Sequence, residues 1–286
     1  MNKVYITTVA TLDTEVFYHW LDYYSDKVDD FFINLWGDST EINFDEIISI
    51  MNEFRLKPFN DFRDVNIFNE NFKTRMFNDT ISTHPNNWWI PVDSDEFIHF
   101  ERGVQSEIQY NIDNNFDYTF GLLVDRISED GTLSELSISD NIFDKFPLIG
   151  NIAMELKGRQ VLIDKVSLMK GKHRILDGMH GIQNVHKNKI SDTTTQHHHF
   201  KWTSKTIENI KLQYKGLKSH DHNWYGEYDL CLEYFKNVSQ INVYNPNFML
   251  EDYNGNWSRW EEFKKLDKSL KHSDDFPHKG DIWYRK

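Results

Sequence analysis

The hydrophobic pattern of the first hundred residues alternates between two periods. A β-branched and aromatic run over residues 4–9 and largely apolar runs over residues 30–36 and 88–92 are typical of buried strands. Apolar side chains spaced three and four apart predict helices over residues 14–26, 44–54 and 68–82. The first of these helices has Asp13 or Thr14 available as its N-cap.

This strand–helix alternation predicts an α/β fold with a parallel sheet covered by helices. In such sheets, ligands bind beyond the carboxyl ends of the strands. Thr8, Asp38 and Asp93 lie at the predicted strand ends. We therefore expect a binding crevice where these three residues meet.

The second half of the chain has a less regular pattern. It predicts strands over residues 116–124 and 160–167, shorter strands near residues 180–186 and 196–202, and helices over residues 204–217 and 224–235. The charged tail, residues 254–286, contains Trp257, Trp260 and Trp283. These aromatic residues either shape a binding site or pack over the sheet.

Composition excludes several classes of protein. With 39% hydrophobic and 15% aromatic residues, the chain has the profile of a folded domain, not of a disordered one. Its net charge of −13 is dispersed and argues against a nucleic-acid partner, which needs clustered cations. An anionic substrate therefore needs a metal ion or a few well-placed cations.

Cysteine content and hydropathy favour a soluble protein. Cys231 is the single cysteine, so an intrachain disulfide is impossible, which fits a reducing compartment. The N-terminus runs straight into a strand pattern, unlike a signal peptide. No run approaches the roughly 18 apolar residues of a transmembrane segment. We expect a cytoplasmic protein.

Asp93-Ser94-Asp95 directly follows the third predicted strand. Its two carboxylates can bind one hard cation, whose remaining positions then hold diphosphate oxygens. Asp-x-Asp is common in loops and helix caps, but its position at the carboxyl edge of a sheet favours a metal site.

A histidine run, residues 196–202 (QHHHFKW), is the second candidate. On a strand, His197 and His199 face one side and His198 the other. Neutral imidazole is a good ligand for Mn²⁺ and similar metals. We favour His199 as a ligand; the alternative is that these histidines only form hydrogen bonds.

Two further motifs leave alternatives open. Glycines around Met179-His180 predict a tight turn that presents Asp177 or His180 to a cleft, or an ordinary exposed hairpin turn. Asp125-Arg126 at a strand end is either a general base with its orienting cation or a structural ion pair.

Lys73 and Arg75 lie on the helix that precedes Asp93. A cation there is able to meet a phosphate group. The alternative, a solvated helix face, fits Lys73 better than Arg75.

Taken in order, these motifs resemble those of the family 2-like glycosyltransferases with the GT-A architecture. The resemblance extends over residues 3–215. Its most specific element is residues 89–97 (WIPVDSDEF). The other matching segments are residues 31–39 (FFINLWGDS), 123–126 (LVDR), 178–180 (GMH) and 198–202 (HHFKW).

The resemblance implies a domain over residues 1–220 with a mixed, mostly parallel sheet. Residues 1–100 would form the Rossmann-like nucleotide-binding half, residues 101–220 the acceptor half, and residues 221–286 a C-terminal helical extension covering the same domain. It also implies an inverting transfer from a UDP- or GDP-sugar to a hydroxyl of a glycan or other acceptor, with Mn²⁺ or Mg²⁺ as cofactor.

The resemblance also assigns metal ligands. Asp95 would be the direct ligand, and Asp93 would lie toward the ribose or the metal. His199 would be the later ligand, with His180 as its competitor.

Nucleotide contacts and the base follow by the same resemblance. Asp38 would contact the nucleoside, with Thr8 and Arg75 nearby. The chain lacks a clear Glu-Asp pair where many family members have their catalytic base, so Asp125 and then Asp177 are the candidates.

Two other functions remain open. Asp-x-Asp also begins phosphatase motifs, so a metal-dependent phosphohydrolase is the rival enzyme. A catalytically inactive carbohydrate-binding relative is the second alternative.

Overall fold

A computed structural model describes residues 3–10, 14–63, 69–157, 163–219 and 225–265. Within these residues, one mixed sheet contains the strands β1 (Val4–Ala10), β2 (Asp30–Gly37), β3 (Asn60–Arg63), β4 (Trp88–Pro91), β5 (Glu96–His99), β6 (Tyr118–Ile127), β7 (Leu148–Gly150), β8 (Asp164–Lys170), β9 (Ile190–His199) and β10 (Glu251–Asp252). The helices are α1 (Thr14–Tyr24), α2 (Phe44–Glu53), α3 (Glu70–Ser82), α4 (Val104–Asp113), α5 (Ile142–Lys145), α6 (Ile152–Leu156), α7 (Thr206–Ser219), α8 (Tyr225–Phe235) and α9 (Trp260–Lys264).

The first half confirms the predicted parallel, helix-covered sheet. β1 pairs in parallel with β2 and β4, and β3 pairs in parallel with β2. Val4 and Ile6 pack with the buried residues of α1 and α2, whereas Tyr5 and Val9 pack with those of α3. Because both faces of β1 are covered, the strand is buried along its whole length.

The second half adds antiparallel strands and one long parallel pair. β8 lies antiparallel to both β4 and β6, β6 pairs in parallel with β9, and β5 pairs antiparallel with β9. The β5–β9 pair places residues 96–99 directly beside residues 196–199. This pairing brings the Asp-x-Asp segment to the histidine run.

Several predicted elements need correction. The strand near residues 180–186 is wrong: the segment forms turns, with an isolated bridge between Ile175 and Ile182. β9 begins at Ile190, six residues before the predicted start, and ends at His199. The strands β3 and β5 and the helix α4 were not predicted, since the two strands are only four residues long and α4 has few apolar positions.

The described part of the C-terminal tail packs onto the protein core. Trp257 is buried against Met249 and Phe263, and Trp260 packs partly buried beside it. Trp283 lies outside the described residues, as does Asp13, the other candidate N-cap of α1. None of the described helices has the length and apolarity needed to cross a membrane.

A cluster of charges at the amino end of β6 gives a first prediction. The buried carboxylate of Asp117 contacts Lys170 at 2.7 Å, Lys172 at 2.8 Å and His173 at 3.1 Å. Burial alone would raise the pKa of Asp117, but these hydrogen bonds lower it well below its usual range. The resulting stability is present above the unfolded-state pKa of about 4 and is lost as the pH falls below it.

We expect Asp117→Asn to lower the free energy of unfolding at pH 7 by about 1 to 3 kcal/mol, since charge-assisted hydrogen bonds are lost. The variant should also lose stability less steeply than the wild type between pH 5 and pH 2. Urea denaturation across this pH range measures both effects, with the exposed Asp22→Asn as the control. Equal pH dependence of wild type and variant would contradict the prediction.

Candidate metal centre

The centre of the site is a carboxylate and an imidazole held by paired strands. β5 and β9 pair Glu96 with His199 in register, and the Phe200 N–H donates to the carbonyl of Asp95 at 2.8 Å. As a result, Asp95 Oδ2 lies 3.3 Å from His199 Nε2. Two ligands of one metal ion, each about 2.1 Å from it, are separated by a comparable distance.

Asp125 supports this imidazole from behind. It lies opposite His199 in the β6–β9 register. Its Oδ1 accepts hydrogen bonds from His199 Nδ1 at 3.1 Å and Trp202 Nε1 at 2.8 Å, and its Oδ2 accepts from the Ala153 N–H at 2.5 Å. Metal-binding histidines are typically held in this way by a carboxylate on the second ring nitrogen.

The charges of Asp95 and Asp125 favour a cation between them, at the position of the His199 ring. Burial disfavours the imidazolium, but Asp95 and Asp125 raise the pKa of His199 to about 9. Burial would raise the pKa of Asp95, whereas the charge of His199 lowers it below its usual value. In the absence of metal, the protonated ring therefore supplies the positive charge.

Asp93 has a different environment from Asp95. Its Oδ1 lies 2.7 Å from Lys73 Nζ, and its Oδ2 lies 3.3 Å from Lys165 Nζ. Burial would lower the pKa of Lys73, but Asp93 raises it above the usual value. Each oxygen of Asp93 thus already faces an ammonium group, whereas Asp95 faces the imidazole.

Glu96, for which the sequence predicts no role, also belongs to the site. It is buried, and its Oε1 lies 2.8 Å from Lys165 Nζ. Among the described residues, one ligand atom each from Asp95, Glu96 and His199 lies within 4.8 Å of the others. The network of Asp93, Asp95, Glu96 and Asp125 sets four carboxylates against three cations, which leaves an excess of negative charge. These cations are Lys73, Lys165 and the protonated His199.

The structure reverses the expectation for the two cations of α3: Lys73, not Arg75, faces the site. Lys73 lies against Asp93 with 14% of its side chain exposed. Arg75 is 68% exposed, pairs with Asp79 at 3.8 Å and lies over the ring of Phe72. Since residues two apart lie on nearly opposite sides of a helix, only one of the two faces the site.

Asp38 follows β2 as predicted, but the expected position of Thr8 is wrong. β1 continues to Ala10, so Thr8 lies within the strand opposite Ile33, with a fully buried side chain. Asp38 is exposed and accepts hydrogen bonds from the Thr40 hydroxyl and N–H, which lower its pKa. The loop that follows, residues 39–43, and the first two residues of α2 line a surface depression together with Arg63 of β3.

The tight turn predicted at residues 177–181 is confirmed, with Gly178 and Met179 both at positive φ. The turn packs beside α3, because the Gly178 N–H donates to Glu70 at 2.9 Å. His180 Nδ1 lies 2.6 Å from the carbonyl of Asp164. Burial and the nearby Lys165 lower the pKa of His180 to about 3. The turn thus borders the charged network, with Asp177 half-buried on it.

The predicted faces of the histidine run are confirmed. His197 and His199 both contact carboxylates of the site, whereas His198 lies 3.3 Å from the guanidinium of Arg126 on the other face. Arg126 donates to the carbonyls of Phe146, Phe143 and Pro147. The side chains of Arg126 and Asp125 therefore point in different directions. Arg126 neither orients Asp125 nor forms an ion pair with it.

Comparisons with known proteins leave the family open. No family model matches the chain, and no curated protein matches it. Among solved structures, TarS 1–349 of S. aureus matches with 11% identity and a TM-score of 0.36, over 82% of this chain and 72% of that chain. A longer S. aureus TarS structure matches with 11% identity and a TM-score of 0.35, over 81% and 42%. Similarity this low does not assign a family.

Proposed function

We propose that this protein is a metal-dependent glycosyltransferase that moves a sugar from a nucleoside-diphosphate sugar to an acceptor hydroxyl. The observation that carries the proposal is the Asp95–His199 pair with Asp125 behind it, at the carboxyl edge of a parallel sheet. In this proposal, residues 1–220 form a GT-A domain with its nucleotide-binding half in residues 1–100, and residues 221–286 cover it.

The geometry suits a nucleoside diphosphate. Asp95 and His199 would hold Mn²⁺ or Mg²⁺, which supplies Lewis-acid stabilisation of the departing diphosphate. The depression beside Asp38 lies at the ends of β2 and β3, and the metal centre lies near the end of β4. Since β4 and β2 are two strand spacings apart, about 10 Å, an extended nucleotide with a UDP- or GDP-type diphosphate fits between them.

The protein's own groups then have distinct tasks. Asp125 holds the ring of His199 so that Nε2 faces Asp95. Lys73 lies at the edge of the network, where an ammonium stabilises phosphate charge. Asp177 is the better base, because both oxygens of Asp125 already accept hydrogen bonds from buried donors. Removal of the acceptor proton by Asp177 would permit direct displacement with inversion.

Metal-dependent nucleotide binding tests the proposal. We expect UDP or GDP to bind with Mn²⁺ and to bind much more weakly without it, as measured by isothermal titration calorimetry. Asp95→Ala should abolish the gain from Mn²⁺, because the direct ligand is lost. Asp79→Ala, an exposed carboxylate of α3, is the matched control and should bind like the wild type.

Two outcomes contradict the proposal. The absence of both UDP and GDP binding, with and without metal, would remove its basis. Sustained phosphate release from a simple phosphomonoester, lost in Asp95→Ala, would establish the phosphohydrolase instead.

A further inference from the structure

Two buried polar atoms in the site face each other without forming a hydrogen bond. Glu96 Oε2 and His197 Nδ1 lie 3.6 Å apart, and neither has a hydrogen-bond partner. The residues are 2% and 0% exposed. An unpaired buried carboxylate oxygen lowers the stability of the fold by about 1 to 3 kcal/mol or more. A bound cation would compensate for this loss, and the neighbouring Asp95 and His199 are suitable partners in binding one, because a ligand atom of Glu96 lies within 4.8 Å of theirs.

We infer that Glu96 is the third protein ligand of the metal ion and that His197 is its positioning residue. The inference rests on the proposed function only in that a divalent cation occupies the site. Glu96 takes the place of Asp93 in the ligand set expected from the sequence, since both oxygens of Asp93 face lysines. Two carboxylate oxygens and one imidazole nitrogen form a donor set that suits Mn²⁺.

A chain of hydroxyl groups holds His197 in place. Its Nε2 lies 2.7 Å from Ser167 Oγ, which lies 2.5 Å from Thr195 Oγ1. If Ser167 donates to Nε2, the proton of the neutral ring is on Nδ1 and points toward Glu96. Carboxylate-directed N–H groups of this kind orient metal ligands from the second layer of contacts.

Gly121 allows this chain of contacts to form. Ser167 and Thr195 lie on β8 and β9, on opposite sides of β6. Gly121 of β6 pairs in register with Thr195 on one side and with Lys165, two residues from Ser167, on the other. A Cβ atom at Gly121 would lie 2.2 Å from Thr195 Oγ1 and 2.6 Å from His197 Cδ2. The missing side chain lets residues of β8 and β9 meet across the intervening strand.

Mn²⁺ alone, without nucleotide, is the probe for this inference. Titration of the full chain, followed by the electron paramagnetic resonance signal of free Mn²⁺, gives the affinity. We expect Glu96→Gln and Glu96→Asp to weaken Mn²⁺ binding at least about tenfold. Glu96→Asp retains the negative charge beside Lys165, but its shorter side chain moves the carboxylate oxygen away from the metal position. This variant therefore remains informative if Glu96→Gln folds poorly. Glu107→Gln, an equally buried glutamate on α4, should bind Mn²⁺ like the wild type.

The positioning role has a separate readout. His197→Ala should weaken Mn²⁺ binding by about tenfold. His197→Asn should recover most of it, because the asparagine amide places a donor near the position of Nδ1. A purely structural role would not separate these two variants in Mn²⁺ affinity once both are shown to be folded by circular dichroism.

Distinct results overturn each part. Unchanged Mn²⁺ affinity in both Glu96 variants, with a large loss in Asp93→Asn, makes Asp93 the ligand and rejects the inference. Equal affinities of wild type and His197→Ala reject the positioning role. If Mn²⁺ binds through Glu96 but neither UDP nor GDP binds, the inference stands and the proposed function fails. If nucleotide binding depends on metal and Asp95 but not on Glu96, the inference alone fails.

Discussion

Asp125→Ala is expected to lower the free energy of unfolding by roughly 3 to 9 kcal/mol. The substitution leaves three buried donors without an acceptor: His199 Nδ1, Trp202 Nε1 and the Ala153 N–H. Each unsatisfied buried donor costs about 1 to 3 kcal/mol. Since whole domains have stabilities of about 5 to 15 kcal/mol, the variant should be largely unfolded or should unfold at much lower urea concentrations.

Asp125→Asn is the matched variant for this prediction. It retains the shape and one acceptor oxygen, so we expect a smaller loss of about 1 to 3 kcal/mol. Its Mn²⁺ affinity should still fall about 10- to 100-fold, since a neutral amide raises the basicity of the His199 ring less than a carboxylate does. If Asp125→Ala is as stable as the wild type, Asp125 does not anchor these donors, and its role as a catalytic base deserves testing again.

The first half of the fold was predictable because each element has its own hydrophobic period. The strands β1, β2 and β4 and the helices α1, α2 and α3 begin within two residues of their predicted starts. Residues 180–186 were predicted wrongly because alternating apolar residues such as Ile182 do not require a partner strand. Only Ile175 pairs there among the described residues, through an isolated bridge.

The site was predictable where a local rule sufficed. Strand alternation correctly placed His197 and His199 on one face, and the end of β4 placed Asp93 at the carboxyl edge of the sheet. The partners of these residues depend on pairings between distant segments, which no local pattern contains. β5 meets β9 across about a hundred residues, and this contact brings Glu96 into the group.

The choice between Lys73 and Arg75 shows the same limit of local reasoning. The sequence places both on α3, but packing of Met76 and Phe77 against the sheet fixes the rotation of the helix. That rotation directs Lys73 to Asp93 and Arg75 to solvent. Helix position was therefore predictable, whereas its orientation was set by tertiary packing.

Lys165→Met is expected to change stability and metal affinity in opposite directions. Lys165 is 5% exposed and lies between Glu96 at 2.8 Å and Asp93 at 3.3 Å. Methionine has a similar unbranched shape, but without the ammonium group the buried carboxylates lose their counter-charge. Removal of one partner of a buried ion pair costs about 3 to 5 kcal/mol, so the metal-free variant should melt at a clearly lower temperature.

Metal binding should partly reverse this loss. With Lys165 removed, the network has one more uncompensated negative charge, so its attraction for a divalent cation increases. We therefore expect Mn²⁺ to raise the melting temperature of Lys165→Met by more than it raises that of the wild type. Lys215→Met removes an exposed ion pair with Glu41 and should change neither quantity. A lower melting temperature in Lys165→Met that Mn²⁺ does not restore would show that the carboxylates do not bind the cation. The metal centre would then be rejected, while the buried ion pairs of Lys165 would remain.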